Sequence, residues 1–396
     1  MDRKTAQPVL GGSIPAGTAP AEAESPEFLS RDLSWLEFNR RVLHEALDSR
    51  TPLLERVRFL GIFTSNLDEF YMKRVGGLRQ QIASGLVSHG PDATSPSDAL
   101  AQIRRAVLPM LKQQSEAYLN DIRPALAANG TELLEWNALT SAEREQASSY
   151  FEANVFPVLT PLAVDPGIPF PFISNLSNSL GVVLHHPDSH ENLFARVKVP
   201  EVLPKWLRVG DTAPGASMRF VSLQEIIRHN LQDLFPDMAV ADVMVFRITR
   251  NADLERDEED AEDLLELMEA EIRQRKFAKV VRLEVSADAN PWMLDFLTRE
   301  LELTREDVYE MPAEVDFDDL RQIAELNVPK LRYEPWMPVV PPPLGDEDAD
   351  MFSVIHSGDV LVHLPYESYT ASVERFIRTA AADPKVLAIK MTVYRT

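Results

Sequence analysis

Cysteine is absent from this 396-residue chain, which excludes disulfides, thiolate metal sites and thiol nucleophiles, and fits a reducing compartment. Basic residues are few for the length: 40 Lys and Arg stand against 62 Asp and Glu, a net charge of −22. No broad basic face for nucleic acid or anionic membrane can come from that balance, so any polyanion must be held locally. No run approaches the roughly 18 apolar residues needed to span a bilayer, and the Ala-, Pro- and Gly-rich start, residues 1–27, has no signal-peptide core. It reads as a disordered leader to a cytoplasmic protein without a transmembrane segment, peripheral membrane association staying open. Walker loops, G-x-G-x-x-G fingerprints and nucleophile elbows are missing too. The eight histidines, at 44, 89, 185, 186, 190, 229, 356 and 363, show no H-E-x-x-H spacing, and the one pair four apart, His186 and His190, sits in a polar turn with Pro187 and Asp188 where solvated loop residues are expected.

What is present divides into two or three domains, as the length suggests. Residues 28–130 read as a helical bundle. In "RDLSWLEFNRRVLHEAL", Ser34 precedes Glu37 at capping-box spacing, and Phe38, Val42, Leu43, Ala46 and Leu47 mark an apolar face. Thr51 before Pro52 starts a second helix, a third follows from about Asn66, and a fourth covers roughly 96–126 with Leu100, Ile103, Val107, Leu108 and Leu111 in register. Residues 131–332 turn to mixed α+β grammar. "FARVKVP", "DVMVFRITR" and "KVVRLEV" read as strands; "SLQEIIRHNLQDLF", the acidic "DEEDAEDLLELMEAEIRQR" and "PWMLDFLTREL" read as helices. Five prolines between Pro335 and Pro343 make 333–350 a stiff linker. Beyond it "DVLVHLP", "YTASVERFIRTAAAD" and "KVLAIKMTVYR" predict a parallel βαβ unit, and 351–396 looks like an α/β domain cut short, since one helix cannot cover both faces of a parallel sheet.

One stretch could grip an anion. In "FTSNLDEFYMKR", either Ser65 with Asp68 or Asn66 with Glu69 can cap a helix start, leaving free amides at a positive dipole end. Lys73 and Arg74 follow a turn later, and Arg56 and Arg58 precede it. The same spacing also serves a plain helix cap. Arg395, at the carboxyl end of the last strand, is placed where open α/β sheets collect ligands, although a surface arginine paired with an acid has the same pattern.

"RDLSWLEFNRRVLHEA", "ERVRFLGIFTSNLDEFYMKRVGGL", "PFPFISNLSNSLGVVL", "FRITRNADL", "GDVLVHLPYESY" and "VLAIKMTVYRT" together resemble the bacterial polyphosphate kinases of the large, phosphohistidine type, in order over about residues 31–396. The resemblance implies a multidomain chain: an all-α bundle, an α+β head, then an incomplete phospholipase D-like α/β domain. It implies reversible transfer of the terminal phosphate of ATP to polyphosphate, with Mg2+ and a homo-oligomeric full-length enzyme. By resemblance, Asn66 contacts ATP, Arg395 belongs to the magnesium and phosphate site, and Lys73 and Arg74 are phosphate-binding candidates. None of the eight histidines matches the family's phosphohistidine, so the catalytic histidines are expected beyond residue 396 and the isolated chain is expected to be inactive. The competing reading is a non-catalytic nucleotide-binding or oligomerisation module.

Overall fold

The computed structural model describes residues 28–85, 94–164, 170–186, 192–211, 213, 215–252, 278–287 and 289–392. The leader at 1–27, the acidic helix expected at 257–275, His89, His190 and Arg395 lie outside the described residues. The chain divides into two compact units, Met1–Asn327 and Val328–Thr396.

The first unit begins with a helix, α1, over Arg31–Leu47. Its N-cap is Ser30, whose Oγ accepts from the Leu33 amide at 3.4 Å. Ser34, expected to cap, lies one turn inside and bonds back to the Ser30 carbonyl at 2.8 Å. The buried stripe is Asp32, Leu36, Asn39, Leu43 and Ala46, while Phe38 is exposed. The face is rotated because the helix turns two polar residues, Asp32 and Asn39, inward to meet its neighbour.

That neighbour, α2, runs over Leu53–Phe70. It passes straight through Ser65 and Asn66, so the third helix expected from about Asn66 does not start there. Nothing in "FLGIFTSNLDEF" stops a helix: it holds no proline, and Gly61 is kept small by the chain beside it, where an added Cβ would sit 3.3 Å from the Phe317 carbonyl oxygen. The chain then widens into a π turn at Tyr71–Val75 and continues as α3, Gly76–Ala83. The expected helix over 96–126 forms as α4, Pro96–Ala117, capped by Ser95, followed by a second π turn at Tyr118–Ile122 and α5, Arg123–Ala128.

Two sheets follow among the described residues. The smaller orders β1 (Thr131–Leu134), β6 (Met218–Ser222) and β5 (Trp206–Val209), with β1 parallel to β6 and β5 antiparallel to it. Helix α6, Ser141–Tyr150, opens on a capping box between Thr140 and Glu143. Helix α7, Leu223–His229, is capped by Ser222, as its spacing predicts, although the Glu225 carboxylate turns to the Trp136 amide instead of back to the cap. The larger sheet has six strands in the order β2 (Leu162–Val164), β4 (Asn192–Lys198), β3 (Ser179–His185), β7 (Ala239–Arg250), β8 (Val280–Ser286) and β9 (Val308–Met311). All neighbours are antiparallel except β8 and β9.

Strand alternation gives this sheet two unlike faces. Phe194, Phe246, Ile248, Leu283 and Val285 form an apolar core, completed by Met293, Leu294 and Leu297 of α8, Pro291–Glu300. Burying each such side chain contributes about 1.5–3 kcal/mol. The intervening residues Arg247, Thr249, Arg282 and Glu284 point the other way, with Arg247 opposite Glu284 and Thr249 opposite Arg282 in register. All four are buried as well.

In the second unit α9 covers Met351–Ser357, and a π turn at Thr370–Glu374 leads into α10, Arg375–Ala382. The helix of the expected βαβ unit is therefore present, but its strands are not: residues 359–363 and 385–392 carry no strand. An apolar run becomes a strand only against a hydrogen-bonding partner, and these two face solvent, with Leu361 92% and Leu387 97% exposed. The Pro-rich segment is tied locally, the Trp336 indole donating to the Tyr366 carbonyl at 3.2 Å and Val339 bridging to Glu367.

Candidate functional site

The charged face of the six-stranded sheet is closed by α2. Asp68 inserts its carboxylate between the guanidinium groups of Arg247 and Arg282, which both donate to it. Arg247 also reaches Glu284 at 3.0 Å and, through Nε, Asp316 at 3.3 Å. Arg282 reaches Glu284 at 3.2 Å, takes Thr249 Oγ1 as an acceptor at 3.0 Å, and lies over the Tyr71 ring with 4.4 Å to its centroid. The Tyr71 hydroxyl donates to that of Tyr309 at 2.7 Å. Burial alone would raise the Asp68 carboxyl, but the two arginines outweigh it and hold it below the usual carboxylate range. Glu284 goes the other way, raised by burial despite the same two arginines. Three carboxylates share two cations, and Glu284 is held less firmly ionised than Asp68.

This cluster clamps the helical region to the head. Around it, Arg104 of α4 donates to the Val308 carbonyl at 3.0 Å and covers the Tyr309 ring, Arg79 pairs with Asp307, and the Ala252 amide donates to the Met72 carbonyl at 2.8 Å. The motif residues of "SNLDEFYMKR" and "FRITR" thus meet in the interior.

Asn66, two residues before Asp68, faces a groove. Val57, Arg58, Gly61, Ile62, Ser65 and Asn66 of α2 form one wall of a cavity of about 330 Å³. The other wall is Asp318, Arg321 and Glu325, from the 3-10 turn at Phe317–Leu320 and the chain after it. Asp316, at the start of that turn, is the residue that touches Arg247, so the clamp also sets the groove's far wall. The Asn66 amide group donates from Nδ2 to Asn39 Oδ1 at 3.1 Å, and Asn39 Nδ2 donates to the Phe63 carbonyl at 3.2 Å.

Among the described residues, the cations expected to bind phosphate are matched with acids. Lys73 pairs with Glu69 at 2.6 Å and Arg74 with Asp32 at 2.7 Å. Arg56 is buried between the Ala46 carbonyl and Asp121, and Arg58 pairs with Glu55 at 2.9 Å. Since α2 runs through Ser65 and Asn66, no helix-start amides are free there and no positive dipole end is available to hold an anion at this point.

Residues 28–134 match the family described as "Polyphosphate kinase N-terminal domain", residues 142–323 the "Polyphosphate kinase middle domain", and residues 350–396 "Polyphosphate kinase C-terminal domain 1". The chain belongs to the polyphosphate kinase family. A polyphosphate kinase of Synechocystis sp. is 45% identical over 391 residues, covering 93% of this chain and 54% of that protein, and one of Mycolicibacterium gilvum is 46% identical over 389 residues, covering 96% and 53%. The crystal structure of polyphosphate kinase from Porphyromonas gingivalis superposes with a TM-score of 0.73 at 25% identity, over 90% of this chain and 50% of that one. The chain therefore spans about half the length of the curated polyphosphate kinases it matches.

Among the described residues, Asn66 lines that groove together with Ser65 and Arg58 of the sequence-derived candidates. Lys73 and Arg74 sit on the outward side of the π turn at Tyr71–Val75, apart from the residues lining that groove. The clamp residues Arg247, Arg282 and Glu284 were not singled out from sequence. The signal was present: in "FRIT" and "VRLEV" polar residues alternate with apolar ones, the pattern of a strand with two faces. Alternation does not say whether the polar face meets water or another domain. No helix among the described residues is long and apolar enough to cross a membrane.

Proposed function

We propose that this chain supplies the helical, head and first α/β portions of a polyphosphate kinase, which reversibly transfers the terminal phosphate of ATP to a polyphosphate chain. The observation that carries the reading is the similarity at 45–46% along 93–96% of the chain to proteins of that name. In this reading the phosphohistidine is supplied by residues outside these 396. The final portion, 351–396, is the start of a phospholipase D-like α/β domain, and its bare apolar segments pair once the rest of that domain is in place. The full-length enzyme acts in the cytoplasm as a homo-oligomer.

Asn66 takes the nucleotide in the α2 groove. Holding a substrate in fixed orientation is a large share of phosphoryl-transfer catalysis, and a side chain on a clamped helix suits that task. Lys73 and Arg74 take phosphate by exchanging Glu69 and Asp32 for a more highly charged partner. Among the described residues no group of three or more Asp, Glu or His is gathered to hold a metal ion by itself, and Mg2+ is commonly held by one or two carboxylates together with substrate phosphates. Mg2+ belongs with the nucleotide and with the region of Arg395, as the family resemblance suggests.

The test is to assay the 396-residue chain for ATP consumption and polyphosphate extension, and to titrate it with ATP. Nucleotide binding that is lost in Asn66→Ala, without turnover, is the expected result. Phosphate transferred from ATP onto a histidine of this chain would overturn the assignment of the nucleophile to residues outside it.

A further inference from the structure

We propose that Asn39 is a positioning residue that fixes which end of the Asn66 amide faces the nucleotide, making Asn66 a hydrogen-bond acceptor that selects a purine bearing a 6-amino group. The inference rests on the reading that Asn66 contacts the nucleotide.

The orientation follows from a chain of obligatory roles. The Phe63 carbonyl can only accept, so the Asn39 group 3.2 Å from it is the amide nitrogen. Asn39 must then turn its oxygen toward Asn66, 3.1 Å away, and that oxygen can only accept, so Asn66 answers with its own nitrogen. Asn39 is wholly buried on α1 and cannot exchange this arrangement with water. Reversing the Asn66 amide would set two oxygens against each other in the interior, and reversing both would set the Asn39 oxygen against the Phe63 carbonyl. What remains for a ligand is Asn66 Oδ1, which accepts from no described residue, on a side chain that lines the groove. At about 330 Å³ the cavity falls within the range of small-ligand sites.

An acceptor at that point matches the exocyclic amine of adenine. A 6-oxo purine presents another acceptor there, so the half-buried Asn66 oxygen would face an acceptor and forgo its hydrogen bond. Without Asn39, the Asn66 amide can turn to suit either base, and discrimination falls.

The experiment compares ATP with inosine triphosphate, which differ at this position of the base, by ligand-observed NMR titration of the 396-residue chain. The wild-type chain is expected to prefer ATP by about ten-fold. In Asn39→Leu the ratio is expected to fall to within about two-fold of unity, mainly because the inosine nucleotide binds better, an effect that a merely loosened fold would not give. Equal binding of the two nucleotides by the wild-type chain overturns the proposal without recourse to any variant. So does a ratio unchanged in Asn39→Leu, or in the milder Asn39→Ser if the leucine variant fails to fold. If Asn66→Ala leaves the binding of both nucleotides untouched, the reading of Asn66 as a nucleotide contact fails, and the relay fails with it.

Discussion

Replacing Arg247 by methionine tests the clamp directly. Arg247 is 2% exposed and serves three carboxylates, Asp68, Glu284 and Asp316. Its removal leaves those acids in the interior with Arg282 alone. Breaking a buried ion pair from one side typically costs about 3–5 kcal/mol, because the stranded charge stays desolvated. For a folded unit of this size that corresponds to a fall in Tm of roughly 6–15 °C. Asp68→Leu is expected to cost a similar amount, about 3–5 kcal/mol, since it strands two guanidiniums. The double variant should cost clearly less than both singles together, with a coupling of at least about 1.5 kcal/mol, because each substitution removes the charge the other leaves unpaired. Urea denaturation of the four proteins supplies the cycle. If either single variant costs less than about 1 kcal/mol, the worth of an exposed pair, the cluster is not the tie between helical region and head. Strictly additive losses would refute the same claim.

Three further outcomes follow from the same geometry. Asp319, next to the clamp, is pushed up to about 7 by burial and by the neighbouring Asp316, against an ordinary 3.8. The stability this group contributes is thus full below about pH 4 and is lost as the pH rises through 7, by up to about 4 kcal/mol. Urea midpoints should show Asp319→Asn more stable than wild type at pH 8 and level with it at pH 4; a gap that widens toward acid would contradict the sign. Asn66→Ala should change stability by less than about 1 kcal/mol, since alanine's better helix propensity offsets the lost bond to Asn39. A helix-start cap would instead lose about 0.5–2 kcal/mol, so thermal melting separates interior from cap. Gly61→Val should destabilise by about 1–3 kcal/mol and weaken nucleotide binding, because its side chain meets the unyielding backbone of Phe317 and Asp318 and pushes the groove's far wall off α2. An unchanged melt would show that the wall is free to move.

The parts legible from sequence were those settled within one element or one pair of strands. The helical region, the strands at 192–198, 239–250 and 280–286, the Ser222 cap and the helix at 291–300 all follow from local periodicity or caps. The T-x-x-E spacing of Thr140 and Glu143 carried the same kind of signal for α6 as Ser222 did for α7. What failed was settled by neighbours. Ser65 and Asn66 are good cap residues, yet a helix with no breaker carries them in its interior when both its faces have something to bury against. Residues 359–363 and 385–392 have strand composition, but strand formation lies in the pairing and not in the segment. The alternating charges of β7 and β8 look like a solvated face, and only the arrival of Asp68 from nearly 180 residues earlier in the chain makes them an interior.

The acidity of the chain bears on how such a protein can recognise an anionic nucleotide at all. In the helical region each candidate cation already has an acid: Lys73 has Glu69, Arg74 has Asp32, Arg58 has Glu55, and the buried Arg56 has Asp121. A phosphate arriving there gains only the difference between two ion pairs in a solvated setting, which is small. Uncharged recognition has no such competitor. An amide oriented from behind by a buried partner, on a helix fixed to the head by desolvated charges, offers one hydrogen bond whose direction is set before the ligand arrives. On the proposed function, Asn66 selects the nucleotide through its base, while Lys73 and Arg74, already paired with acids, add only the small difference between two ion pairs to the hold on its phosphates.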